Sequence, residues 1–161
     1  MNTLRFIFLI TCSFLLSIPT KAKADIHESL SRKDKGLVPI LRGDYADPSI
    51  MRDGNDYYMT HSSFDYLPGL TVLHSTDLVH WTPISYVLKE RLGSVWAPDI
   101  TKHDDKYYIY FTVAGKPAGG NYVVWANSPA GPWSKPINLH VSHIDPGHTV
   151  GEDGTCWLFL S

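Results

Sequence analysis

A self-similar spacing of about fifty residues constrains this chain more than anything in its composition. Tyr57-Tyr58-Met59 is answered by Tyr107-Tyr108-Ile109 and again by Trp157-Leu158-Phe159, each 50 positions further on. An acid precedes each aromatic pair at a nearly constant distance, in Asp47-Pro48, Pro98-Asp99-Ile100 and Asp145-Pro146. The segment His74-Ser75-Thr76-Asp77-Leu78-Val79-His80-Trp81 has a counterpart in Trp125-Ala126-Asn127-Ser128-Pro129-Ala130-Gly131-Pro132-Trp133, with the closing tryptophans 52 apart. Short runs of Tyr, Val, Ile, Thr and Trp alternate with Asp53-Gly54, Pro68-Gly69, Gly115, Gly119-Gly120 and Asp153-Gly154, which is strand-and-turn patterning without helical spacing. A β-type period of this length marks a propeller or a related array.

Each period divides into four short strands, as a propeller blade requires. The first unit reads as 49–52, 57–61, 70–74 and 84–88, with Asp53-Gly54-Asn55 as a hairpin turn. The second reads as 100–102, 107–112, 122–126 and 137–139, and the third opens at Thr149-Val150. The expected fold class is therefore all-β, with blade 1 at about 40–90, blade 2 at about 91–141 and the start of blade 3 at 142–161. Propellers close with roughly four to eight blades, so these two and a half blades read as the N-terminal part, residues 37–161, of a longer propeller domain.

Residues 1–24 read as a secretory signal peptide. Arg5 begins a positive start, Phe6 to Ile18 is an apolar run of 13 residues, and Ala22-Lys23-Ala24 offers small residues before a cleavage point ahead of Asp25. Cys12 does not sit in a good lipoprotein context, because Thr11 precedes it and the apolar run continues past it. Residues 25–36 are polar, without apolar period, and read as a flexible leader. The protein is thus expected to be secreted or periplasmic, with no membrane attachment once the signal is cleaved.

Cleavage removes Arg5, Lys21 and Lys23 from the 14 cationic side chains, leaving 11 against 16 acids, a net charge of −5. That balance argues against nucleic acid or an anionic membrane as partner. Cys156 would be the one remaining thiol and is expected to be a small buried strand residue rather than half of a disulfide.

In a propeller the first strand of every blade runs along the central channel, so residues at the starts of those strands converge on one mouth. Asp47, Asp99 and Asp145 all fall at or just before such starts. Close carboxylates push one another's pKa values apart, which is how glycoside hydrolysis obtains an acid and a base from one residue type. The competing structural reading is that Asp-Pro opens turns and a repeat protein duplicates its turns. His140, His143 and His148 lie near Asp145 but lack tight zinc spacing, and the glycines of 115–121 lack phosphate-loop spacing.

The runs Gly43-Asp44-Tyr45-Ala46-Asp47-Pro48-Ser49-Ile50, Trp96-Ala97-Pro98-Asp99-Ile100 and His143-Ile144-Asp145-Pro146, with Ser62 to Leu70 and His74 to Trp81 between them, resemble glycoside hydrolase family 43, on its β-xylosidase and α-L-arabinofuranosidase side. The resemblance covers Pro39 to Ser161. It implies a five-bladed β-propeller that hydrolyses plant pentose saccharides with inversion. It further implies that Asp47 is the general base, that Asp145 tunes and orients the general acid, and that Trp96 and Phe64 line the sugar pocket. For Asp99 a structural role is preferred, since buried turn acids are usually satisfied by backbone amides. No cofactor is implied, although a structural calcium in the pore, as some family members hold, stays open.

The family's general acid is a Glu on a later blade, and Glu28, Glu90 and Glu152 do not match it. An inverting site needs two carboxyl groups, roughly 6.5–9.5 Å apart, so residues 1–161 alone are expected to be inactive. The rival functions are a secreted carbohydrate-binding propeller without catalysis and a β protein whose repeat is structural only.

Overall fold

The computed structural model describes residues 39–115, 117 and 119–161, and the signal-peptide and leader readings lie outside them. All ten elements among the described residues are β-strands: β1 Ser49–Asp53, β2 Asp56–Thr60, β3 Gly69–Ser75, β4 Thr82–Leu88, β5 Ser94–His103, β6 Lys106–Ala114, β7 Gly120–Ala126, β8 Ile137–Asn138, β9 Gly147–Val150 and β10 Cys156–Phe159. They form two four-stranded sheets, β1-β2-β3-β4 and β5-β6-β7-β8, and a two-stranded sheet β9-β10, every neighbour antiparallel and in chain order. Up-and-down sheets repeated in series are propeller blades.

The repeat is visible in the register. Ser49 pairs with Thr60 and Asp99 with Tyr110, an offset of 50 on both strands. The first hairpin turns through Gly54 at φ 61°, and the second through Asp104 and Asp105, both at positive φ as a type I′ turn requires. The third hairpin is longer: Val150 pairs with Cys156 across 151–155.

First strands of successive sheets lie side by side. Ser49 Oγ of β1 donates to Asp99 Oδ1 of β5 at 3.0 Å, and the His148 backbone N–H of β9 donates to Asp99 Oδ2 at 2.7 Å. The sheets are therefore arranged around their first strands, as a partial β-propeller. Blades 1 and 2 bury a common core of Leu70, Val72, Leu88, Val95, Ile100, Ile109, Phe111, Val113, Tyr122 and Val124. Alternation along β6 supplies Tyr107, Ile109, Phe111 and Val113 to one buried face. At the opposite end from the strand starts, Asp53 Oδ2 accepts from Lys102 Nζ at 2.8 Å and from the Tyr107 hydroxyl at 2.5 Å, tying the first hairpin to blade 2.

Two expectations are corrected. Blade 2's first strand begins at Ser94, not at Ile100, because Phe64 bridges Val95 with paired backbone bonds of 2.9 Å and the ladder passes Pro98 by a register shift between Trp96 and Asp99. Proline cannot donate to a ladder, and a bulge absorbs it. Cys156 does lie in a strand but is exposed, since no further described strand packs over β10.

Candidate functional site

Three X-Pro dipeptides recur at the three first strands: Asp47-Pro48 and Asp145-Pro146 just ahead of β1 and β9, and Ala97-Pro98 at the bulge inside β5. In each, the residue before proline takes positive φ, at 51°, 33° and 55° respectively. A pre-proline residue is ordinarily held in the extended region, so this repeated kink is backbone strain at one place in every unit, the kind that clusters at functional sites. The kink shows which residues are equivalent. Asp47 and Asp145 correspond to each other and to Ala97, while Asp99 corresponds in register to Ser49.

The expected trio of acids at the mouth is thereby reduced to two. Asp99 lies inside β5 rather than at its start, and both its oxygens are engaged, by Ser49 and by His148. Asp47 and Asp145 are exposed just ahead of β1 and β9, and each carboxylate accepts one side-chain hydrogen bond, from Ser62 and Ser161 respectively.

Asp47 is held by Ser62, which is only 2% exposed. Ser62 Oγ donates to Asp47 Oδ2 at 2.6 Å and accepts from the Ala97 N–H at 2.7 Å, while the Ser62 N–H donates to the Ala46 carbonyl at 2.9 Å. One hydroxyl therefore joins the kink of blade 1 to the kink of blade 2. Next to it, the Phe64–Val95 bridge joins the Phe64 backbone to the residue preceding Trp96. Trp96 is 37% exposed, with its indole N–H donated to Ser94 Oγ at 3.0 Å, so a flat apolar face stays open.

Asp145 reaches the same end by another route. Trp96 pairs with Thr112, and the Asp145 N–H donates to Thr112 Oγ1 at 3.1 Å. Ser161 Oγ donates to Asp145 Oδ2 at 3.0 Å. The structure thus connects Asp47, Trp96 and Asp145 at one end of the blades through Ser62, Ala97 and Thr112, with Phe64 bridged to Val95 nearby, and leaves Asp99 further along the axis.

His148, beside Asp99, stacks on Tyr110 with ring centroids 5.1 Å apart and planes 5° from parallel. Burial holds its pKa below the ordinary imidazole value, outweighing the nearby Asp99 charge. Burial likewise raises the Tyr110 phenol. Among the described residues no three His, Cys, Asp or Glu side chains converge on a metal position.

Glu90 lines an outer groove of about 590 Å³ together with Arg91, Trp133 and Lys135, and neither Asp47 nor Asp145 borders it. Glu152 belongs to the β9–β10 hairpin, at the end away from the strand starts. Neither glutamate joins the two aspartates. Ser62, Thr112 and Asn121 were not singled out from sequence; the available signal was small polar residues inside or beside otherwise apolar strand runs, where a buried polar group demands a partner.

The description "Glycosyl hydrolases family 43" matches residues 37–161 of the chain. A xylosidase/arabinosidase of Butyrivibrio fibrisolvens is 38% identical over 131 residues, covering 74% of this chain and 25% of the relative. A non-reducing end alpha-L-arabinofuranosidase of Bacteroides ovatus is 40% identical over 120 residues, covering 67% and 23%. The crystal structure of the GH43 BlXynB protein from Bacillus licheniformis superposes with a TM-score of 0.69 at 37% identity, over 76% of this chain and 28% of that one. The chain thus spans about a quarter of the length of the curated relatives it matches. It belongs to glycosyl hydrolase family 43.

Proposed function

We propose that the protein is an exported glycoside hydrolase acting on xylan- or arabinan-derived oligosaccharides with inversion, and that Asp47 is its general base. The observation that carries this reading is the pairing of two equivalent kinks, each presenting an exposed aspartate at the same end of the blades, linked through Ser62, Ala97 and Thr112. The names of the relatives support a pentose substrate, and the apolar run ahead of Ala24 supports a secreted or periplasmic location.

In this mechanism a water oxygen attacks the anomeric carbon from the face opposite the leaving group, and Asp47 takes the water proton. The glycosidic C–O bond breaks, and its oxygen receives a proton from a general acid. Ser62 donates to one carboxylate oxygen of Asp47, leaving the other to face the water. Asp145 orients and tunes the acid. The acid itself is a carboxyl group from outside residues 39–161, because Glu90 and Glu152 lie elsewhere. Trp96 and Phe64 offer apolar faces to the sugar ring, as saccharide pockets commonly do.

Proton NMR of the reaction in water tests this: a β-xyloside should first yield α-xylose, or an α-L-arabinofuranoside the β-anomer. First release of the anomer that retains configuration, or tight saccharide binding without hydrolysis by the complete protein, would replace this reading, the second with a carbohydrate-binding propeller.

A further inference from the structure

The segment that carries Asp145 is strained and has few partners of its own. His140, His143 and Asp145 all take positive φ, at 56°, 77° and 55°. Conformations of that kind persist only where the surroundings over-determine them. Ser161 holds Ile144 by two backbone bonds and Asp145 Oδ2 by its hydroxyl, while the carbonyls of 141–143 converge on one side chain. Asn121, fully buried, directs its amide nitrogen at the carbonyls of Val141, Ser142 and His143, at 3.2, 3.4 and 2.9 Å. Its backbone carbonyl accepts from the Leu139 N–H at 2.9 Å.

The proton directions follow from chemistry. Three carbonyls can only accept, so Nδ2 faces them and Oδ1 faces Thr112. Oδ1 can only accept, so the Thr112 hydroxyl donates to it, at 2.8 Å. The Thr112 oxygen is then left to accept the Asp145 N–H, at 3.1 Å. Thr112 and Asn121 are direct partners across β6 and β7, and Thr112 is the partner of Trp96 across β5 and β6. One row of the sheet therefore runs from the sugar wall to the loop of Asp145, with every polar atom along it assigned.

We propose that Thr112 and Asn121 are positioning residues that clamp the 141–145 loop and so fix the Asp145 carboxyl toward the general acid. This rests on the reading of Asp145 as the residue that tunes that acid. A residue acting only on stability would slow all substrates alike once folded. A clamp acting through the acid weighs on substrates whose leaving group needs protonation.

The experiment uses the complete protein with phenyl pentosides, whose leaving group needs the acid, and 2,4-dinitrophenyl pentosides, whose leaving group does not. Thr112→Val should lower kcat on the phenyl substrate about tenfold more than on the dinitrophenyl one, a part of the ~10²–10⁴ that a general acid supplies. Thr112→Ser, which keeps the hydroxyl, should restore both. Asp145→Asn should show the same leaving-group bias. A bias in Asp145→Asn with none in Thr112→Val overturns the clamp alone, whereas no bias in Asp145→Asn overturns the reading of Asp145 and the clamp with it. Should Thr112→Val not fold, hydrogen exchange of the unmodified protein decides: protection of the Asp145 amide, which donates to Thr112, is expected, and exchange of that amide at its free-peptide rate overturns the clamp.

Discussion

Ser49 and Asp99 stand fifty residues apart in sequence and 3.0 Å apart in space, the serine hydroxyl donating to the carboxylate. Because Asp99 also accepts the His148 N–H, one carboxylate pins the first strands of three successive sheets. Asp99 is accordingly a staple of the axis. Asp99→Ala should lower stability by about 1–3 kcal/mol, the usual cost of leaving buried donors without a partner. The shift in unfolding midpoint measures this, and the folded variant should keep its kcat within a few-fold. A kcat loss of several orders of magnitude with unchanged stability would make Asp99 a chemical group instead.

At the far end of the same strands, Asp53, Lys102 and Tyr107 form a second staple whose strength depends on pH. Bonds from Lys102 and then Tyr107 hold the Asp53 carboxyl below its ordinary 3.8, so that its contribution is present above pH 3.8 and fades as pH falls through the lowered value. Burial, and then Asp53, push the Tyr107 phenol up to about 12 from 10.0, so that its contribution is full below pH 10 and is lost as pH climbs toward 12. Thermal midpoints against pH should fall on both flanks. Asp53→Asn should flatten the acid flank and lower the plateau, and an unchanged profile would remove this staple from the account.

Phe111 is wholly buried where blades 1 and 2 meet. Phe111→Ala should cost about 3–5 kcal/mol, as large-to-small core changes do, seen as an early unfolding midpoint. A loss below about 1 kcal/mol would mean that the blades do not share a packed core in solution.

Trp96 is different, being open to solvent on one side. Trp96→Ala should leave the unfolding midpoint nearly unchanged and raise KM for pentosides about tenfold, the scale of one lost sugar–aromatic contact. Unchanged KM would take Trp96 out of the sugar wall.

Much of this architecture was legible before any coordinates. The aromatic pairs at 57, 107 and 157 do occupy equivalent places, each one residue past the end of its hairpin pairing. Strand order followed because short runs between turn signals leave little choice but antiparallel neighbours. The acids were harder. Matching them by residue type put Asp99 beside Asp47 and Asp145, whereas the backbone matches the pre-proline kinks and places Ala97 there. Positive φ before proline has no signature in composition. Pro98 likewise disguised the first half of β5, since a proline in a run reads as a strand break and only the bridge from Phe64 shows otherwise. Ser62, Thr112 and Asn121 stayed hidden because their importance lies in partners 15 to 35 residues away. Asn121, just outside the expected strand 122–126, is instead a buried residue within β7.

The account stands or falls on Asp47. It is exposed, kinked, and held by a single buried hydroxyl, which is poor design for a residue needed only for stability. The direct measurement is kcat of Asp47→Asn in the complete protein, beside its unfolding midpoint. The account predicts a loss of about 10²–10⁴ in rate with the midpoint unchanged. A rate within a few-fold of the unmodified protein, with the midpoint lowered, would contradict it.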